Sequence, residues 1–184
     1  AVTYAKYELF SGSCSSGSYS TGYLVMDVCV KKNGNTWAKE TCSGGVYSSK
    51  SFSDSMCTTE VTGMESMEYS ANDGECKLYI DFPEGSGPDD EYRRVTCGVS
   101  GPTSYGIIST YDGYDPHCES AESESTVVNG VCIPKAGLYA WGLAPVAYEK
   151  TSCKDGMIIA SYYADSECTN LTDDRIIQEH GGCS

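Results

Sequence analysis

The chain has 184 residues, 11 cysteines and a formal net charge of −14. No two cysteines form a C-x-x-C pair, which excludes zinc-ribbon, thioredoxin and haem-attachment motifs and points to a disulfide framework made in an oxidising compartment. The acidity excludes nucleic acid and an anionic membrane surface as partners, and no apolar run is long enough to span a bilayer.

Ala1 rather than Met opens the sequence, as in a secreted chain cut by signal peptidase. Residues Val2, Thr3, Tyr4, Ala5, Lys6, Tyr7, Glu8, Leu9 and Phe10 read as a first strand, followed by Phe10-Ser-Gly-Ser-Cys14. Residues 11–20 are rich in serine and suit O-linked sugar. Leu24, Met26, Val28 and Val30 alternate with Tyr23, Val25, Asp27 and Cys29, which predicts one strand with a buried face. The turn Asn33-Gly34 leads into Thr36-Trp37-Ala38-Lys39-Glu40-Thr41-Cys42. Further on come Phe52-Ser-Asp54-Ser-Met-Cys57 and the turn Asn72-Asp73-Gly74 before Cys76. Leu78, Ile80 and Phe82 then alternate with Lys77, Tyr79 and Asp81. A turn at Glu84-Gly-Ser-Gly-Pro88 precedes Tyr92-Arg-Arg94-Val-Thr96-Cys97. The second half supplies Tyr114-Asp115-Pro-His-Cys118, Asn129-Gly130-Val-Cys132, Tyr148-Glu-Lys150-Thr-Ser152-Cys153 and Tyr163-Ala-Asp165-Ser-Glu-Cys168. Thr172-Asp-Asp-Arg175 suits one helical turn before the closing Gly181-Gly182-Cys183.

Three flanking patterns therefore recur in one cyclic order. One is aromatic-x-basic-x-[TS]-Cys, the second aromatic-x-Asp before Cys, the third a turn before Cys. The copies run about 1–41, 42–96, 97–152 and 153–184. Each has the composition of a few short strands rich in Val, Ile, Thr and Tyr, and no stretch holds a helical period. The expected fold is all-β. One copy buries too little to stand alone, so the four pair into two antiparallel β-sandwiches, 1–96 and 97–184. A single closed four-unit array is the alternative. Pairing the second and third cysteines of each copy gives Cys14–Cys29, Cys57–Cys76, Cys118–Cys132 and Cys168–Cys183. Cys42, Cys97 and Cys153 stay unassigned; two of them can pair and one is left over. The rival scheme pairs Cys42–Cys57 and Cys153–Cys168.

The eleven cysteines are four triplets less one, and the absent one falls at the start of the chain. The last copy lacks the strand that follows the third cysteine elsewhere, and Thr3-Tyr4-Ala5-Lys6-Tyr7-Glu8 resembles Thr36-Trp37-Ala38-Lys39-Glu40-Thr41. The first strand is thus expected to complete the last copy, in the same molecule or in the next one. The second arrangement makes a head-to-tail homopolymer.

Catalytic constellations are scarce. The two histidines, His117 and His180, lie in no nucleophile motif, and no local pattern picks a carboxylate pair from 26 acids. Calcium is the best metal candidate, at Pro88-Asp89-Asp90-Glu91, Asp112-Gly-Tyr-Asp115 and Thr172-Asp173-Asp174, although none fits EF-hand spacing and solvated turns are the simpler reading. No other cofactor is implied. Tyr139, Trp141, Tyr162 and Tyr163 suit a sugar-stacking platform if exposed, but their fixed place before cysteines favours packing. Asn170-Leu171-Thr172 is an N-glycosylation sequon, and residues 119–126 suit O-linked sugar.

The Y-x-D-x-x-C … G-x-C rhythm resembles the cysteine-rich repeats of secreted and cell-surface proteins of algae, slime moulds and other protists. The resemblance implies an extracellular all-β protein and transfers no catalytic residue. The expected function is a non-enzymatic structural glycoprotein that assembles with itself. A carbohydrate-binding or adhesive module is the alternative.

Overall fold

The computed structural model describes residues 2–15, 17–62, 69–81, 89–110, 121–135, 147–155 and 157–178, with 175–178 described in backbone only. Every regular element among them is a β-strand. The first half holds β1 (Tyr4–Ser11), β2 (Ser20–Val25), β3 (Cys29–Asn33), β4 (Thr36–Ser43), β5 (Val46–Phe52), β6 (Tyr69–Asn72), β7 (Cys76–Ile80) and β8 (Glu91–Cys97). The second half holds β9 (Ser104–Thr110), β10 (Ser123–Asn129), β11 (Cys132–Lys135), β12 (Ala147–Lys154), β13 (Met157–Tyr163) and β14 (Leu171–Gln178). No helix among the described residues is long and apolar enough to cross a membrane.

The strands form antiparallel sheets of order β2-β1-β8-β7, β3-β4-β5-β6 and β11-β12-β13-β14, and a two-stranded sheet β9-β10. Turn chemistry sets the hairpins. Gly44 and Gly45 have φ of 60° and 78°, which suits the two-residue link between Ser43 and Val46. Both central positions of such a turn need positive φ, where a side chain is strained.

One register recurs in all three four-stranded sheets. The cysteine that opens an outer strand faces the basic residue of the next: Cys29↔Lys39, Cys76↔Arg94 and Cys132↔Lys150. The aromatic of the aromatic-x-basic pattern faces an aromatic across the central pair: Trp37↔Phe52, Tyr92↔Phe10 and Tyr148↔Tyr163. The cysteine that ends the pattern faces Tyr47, Ala5 and Ile158 in turn. These are cross-strand neighbours, so the spacing of the sequence pattern is the spacing of ladder contacts. The basic residues lie over the aromatics as well. Lys39 Nζ is 5.1 Å from the Phe52 ring centre and Arg94 Cζ 5.0 Å from that of Phe10.

The side chains opposite the cysteines become core. Ala5, Met26, Tyr47 and Val95 form one buried cluster, flanked by Cys42 and Cys97. Val25, Val128 and Val131 form a second cluster with Tyr4, Tyr23, Tyr105 and Ile133. That cluster joins the first and second halves of the chain. Lys31 adds polar contacts there, its N–H bonding Glu124 at 3.0 Å and its ammonium bonding the Ala121 carbonyl at 2.6 Å.

The disulfides are Cys14–Cys76, Cys29–Cys57, Cys42–Cys97 and Cys132–Cys168. This corrects both sequence-based pairing schemes. Cys14 and Cys57 follow β1 and β5, whereas Cys29 and Cys76 open β3 and β7, each in the other sheet. In each four-stranded sheet the bond instead links the start of an outer strand (β3, β7 or β11) to the loop after the strand two places away (β5, β1 or β13). Cys42–Cys97, two of the cysteines left unassigned, joins β4 to β8 and so ties one sheet to another. Cys153 is also disulfide-bonded. Cys118 and Cys183 lie outside the described residues. The six cysteines from Cys14 to Cys97 close among themselves.

Four further expectations change. Both edges of β1 are taken, by β2 and β8. Residues 4–11 therefore complete the sheet of β7 and β8 and not the last copy. The register sets Ala5 opposite Cys97, where Tyr47 stands opposite Cys42, so β1 matches β5 and its likeness to β4 misleads. The run Tyr23–Val30 is two strands, because Asp27 takes φ 62° and turns the chain from one sheet to another. All of β7 is exposed, since it is an outer strand, so its alternation marks no buried face. Thr172–Arg175 lies within β14, paired with β13, and not in a helical turn.

The Cys42–Cys97 bond spans 55 residues, and its chain-entropy contribution is about 4 kcal/mol. Cys42→Ser with Cys97→Ser should lower the unfolding free energy of the oxidised protein by about that amount, as read from urea denaturation of both proteins.

Candidate functional site

Two loops recur with the same chemistry. After β5 the Asp54 carboxylate accepts from the backbone N–H of Met56 (3.0 Å), Thr58 (3.1 Å) and Thr59 (2.6 Å) and from the Thr58 hydroxyl (3.0 Å). After β13 Asp165 accepts from Glu167 (3.0 Å), Thr169 (3.1 Å), Asn170 (2.6 Å) and the Thr169 hydroxyl (3.1 Å). Cys57 and Cys168 follow with left-handed φ of 51° and 52°. Each donates its N–H to the carbonyl of the loop's aspartate. The aspartate before the second cysteine thus caps the loop that presents that cysteine to its disulfide partner. The Thr59 N–H first, then the Thr58 donors and the Met56 N–H, hold the Asp54 carboxyl down at about 2. The Thr169 N–H leads the donors that lower Asp165.

The second constellation surrounds Arg93 on β8. Its side chain is buried, at 8% exposure. The guanidinium carbon lies 5.2, 5.5, 5.7 and 5.0 Å from the ring centres of Tyr7, Tyr47, Tyr69 and Tyr79. Four negative ring faces replace part of the water that a buried cation loses. Among the described residues the Arg93 Nε has no hydrogen-bond partner. Burial pushes the Tyr7, Tyr47 and Tyr69 hydroxyls up, and the Arg93 charge offsets part of that rise. Tyr47 donates to Glu40, which also accepts from Ser49 at 3.1 Å.

Tyr69 and Tyr79 also line an open cleft with Ser48, Lys50, Ser70 and Lys77. Their rings meet edge to face at 5.4 Å. Lys77 donates to the Ser70 carbonyl and stands 5.7 Å from the Tyr69 ring centre. Lys50 pairs with both Glu60 oxygens at 2.9 Å. On a chain of net charge −14 this is a local concentration of cations beside aromatic faces and hydroxyls. Such a surface can hold an anionic ligand or a sugar ring.

The sequence-based site residues fall elsewhere. Trp37, Tyr162 and Tyr163 are half-buried in β4 and β13. Tyr139, Trp141, His117, His180 and residues 112–115 lie outside the described residues. Asp173 and Asp174 are exposed on β14, and Asp89 accepts from the Ser11 hydroxyl at 3.3 Å. Among the described residues no three His, Cys, Asp or Glu side chains converge on one point. Asn170 is exposed at the end of the Asp165 loop, its N–H bonded and its side chain accessible. Tyr92-Arg-Arg94 marked β8 in the sequence. The tyrosines around Arg93 come from four separate strands, and no spacing relates them.

No family model matches the chain, and neither the curated proteins nor the solved structures give a match.

The folded loop favours the carboxylate form of Asp54, so as pH falls the unfolded chain takes up the proton first. The stability this supplies is complete above the ordinary carboxyl value of 3.8 and is lost as pH falls through about 2. Nuclear magnetic resonance titration should place Asp54 at about 2. Asp54→Asn should flatten the fall in stability across that window in pH-dependent urea unfolding.

Proposed function

We propose that the chain is a non-enzymatic, extracellular structural glycoprotein, a disulfide-locked part of a larger assembly. Four cysteine-triplet repeats pair into two small β-sandwiches. The first is the sheet β2-β1-β8-β7 against β3-β4-β5-β6. The second is β9-β10 against β11-β12-β13-β14. The boundary falls after Cys97, which bonds back to Cys42. The observation that carries the reading is the common register: one set of cysteine, aromatic and basic ladder contacts recurs in three sheets. Conserving a frame in this way serves shape and resistance to unfolding, and each frame is closed by a bond stable in an oxidising compartment. Exposed Asn170 carries an N-linked glycan in this reading, and assembly does not run through residues 2–10.

The Tyr69–Tyr79 cleft favours a second reading, recognition of an acidic glycan at a cell surface. Lys50 and Lys77 would meet carboxylate or sulfate groups, and the two rings would stack on sugar faces.

One experiment separates the two. The intact secreted protein is applied to an array of neutral, carboxylated and sulfated glycans beside Lys50→Ala and Lys77→Ala variants. The structural reading expects background signal from all three proteins. Binding to acidic glycans that both variants lose would overturn it in favour of recognition. Asn170→Gln should remove one glycan mass from the secreted protein; an unchanged mass would contradict glycosylation at that site.

A further inference from the structure

Three disulfides hold the same place in the three four-stranded sheets: Cys14–Cys76, Cys29–Cys57 and Cys132–Cys168. Each is a control for the others. Two of them are sheltered. Cys57 and Cys168 are buried, at 4% and 9% exposure, in loops capped by Asp54 and Asp165. The third differs in both respects. Phe10 faces Tyr92 as Phe52 faces Trp37 and Tyr163 faces Tyr148, so Gly12 stands where Asp54 and Asp165 stand. No carboxylate at that position gathers the N–H groups of the loop to Cys14, and the loop is one residue shorter. Cys14 is half-buried, and among the described cysteines only Cys76 is exposed.

The surroundings of Cys76 suit an incoming anion. Arg94 faces it across the ladder and Lys77 follows it in the strand. Glu75 precedes it, with its carboxylate accepting from the Asn72 N–H at 2.7 Å. On a chain of net charge −14 the two cations offset the general repulsion of a thiolate. We infer that Cys14–Cys76 is a thiol–disulfide exchange site, open to thiolates that leave Cys29–Cys57 and Cys132–Cys168 intact. A thiolate attacks the exposed Cys76 Sγ and forms a mixed disulfide there; the Cys14–Cys76 bond breaks and its electron pair leaves on Cys14 as a thiolate. A second thiolate attacks the reagent's sulfur in that mixed disulfide and releases Cys76 as a thiolate. The protein's bond is reduced, and the two thiols are oxidised to their own disulfide.

The strand held by this bond is β7, which pairs with β8 and carries Lys77 and Tyr79 to the cleft. Opening the bond frees the first residue of β7, next to Lys77. The turn before it has bonds of its own, from the Gly74 N–H to the Val95 carbonyl (2.8 Å) and from the Cys97 N–H to the Asp73 carboxylate (2.7 Å). Cys76 therefore stays beside its sheet, and oxidation can close the bond again. The disulfide is a reversible latch on one wall of the cleft.

The probe is reduced glutathione, added in graded amounts to the intact oxidised protein at neutral pH, then acid quench, alkylation and peptide mapping. Cys14 and Cys76 should become alkylated at a glutathione concentration about tenfold or more below that needed for Cys57 and Cys168. Glutathione should be found on Cys76 at early times. Earlier or simultaneous opening of Cys29–Cys57 or Cys132–Cys168, glutathione on Cys14 alone, or no reaction before the protein unfolds overturns the proposal. In the variant Cys14→Ser with Cys76→Ser, amide exchange across 76–80 should quicken by about tenfold or more while 36–43 is unchanged. Unchanged exchange across 76–80, or equal quickening across 36–43, would mean that the bond is no latch on β7. The glycan array does not read this bond, so each test can fail without the other.

Discussion

Cys42 and Cys97 sit opposite Tyr47 and Ala5, and the disulfide between them joins two sheets beside their shared buried cluster. This contact governs the rest of the first half. A ladder has period 2, so a slip of one residue on either sheet would turn the cysteine outward and expose Tyr47. The covalent bond and the buried aromatic therefore enforce the same register. From that register follow the cross-strand aromatic pairs, the basic residues over the Phe10 and Phe52 rings, and the place of the outer cysteines. The price of exactness in the core is visible at Gly106, where even a methyl group would press on Ile158.

Charge is handled by the same frame. Arg93 is a buried cation in a very acidic chain, and rings from four strands converge around it. Two of those rings continue to the surface and meet Lys50 and Lys77 in the cleft. The core and the most distinctive surface are thus one assembly of side chains. A change at Arg93 would loosen the sheet and reshape the cleft together.

Much of the local structure was legible in the sequence, because short-range physics sets it. Alternating β-branched and aromatic residues marked strands, and Asn33-Gly34 and Asn72-Asp73-Gly74 marked turns. The aromatic-x-basic pattern had one meaning wherever the structure describes it. What eluded the sequence was long-range. Cys14 and Cys76 are 62 residues apart, and their bond depends on β1 joining β8 in place of a nearer strand. Thr3–Glu8 looked like the strand before Cys42 because both are central strands under similar packing, yet register puts β1 in the other central place. Asp27 broke a run that its neighbours' alternation made continuous, since only its backbone conformation records the change of sheet. The tyrosines around Arg93 had no common spacing to read.

The account stands on sheets closed by distant strands in one shared register. Peptide mapping of the oxidised protein without reduction measures this most directly. It should recover Cys14 linked to Cys76, Cys29 to Cys57 and Cys132 to Cys168. Recovery of Cys14 linked to Cys29 and Cys57 to Cys76 would mean that each copy closes on itself, and would contradict the account.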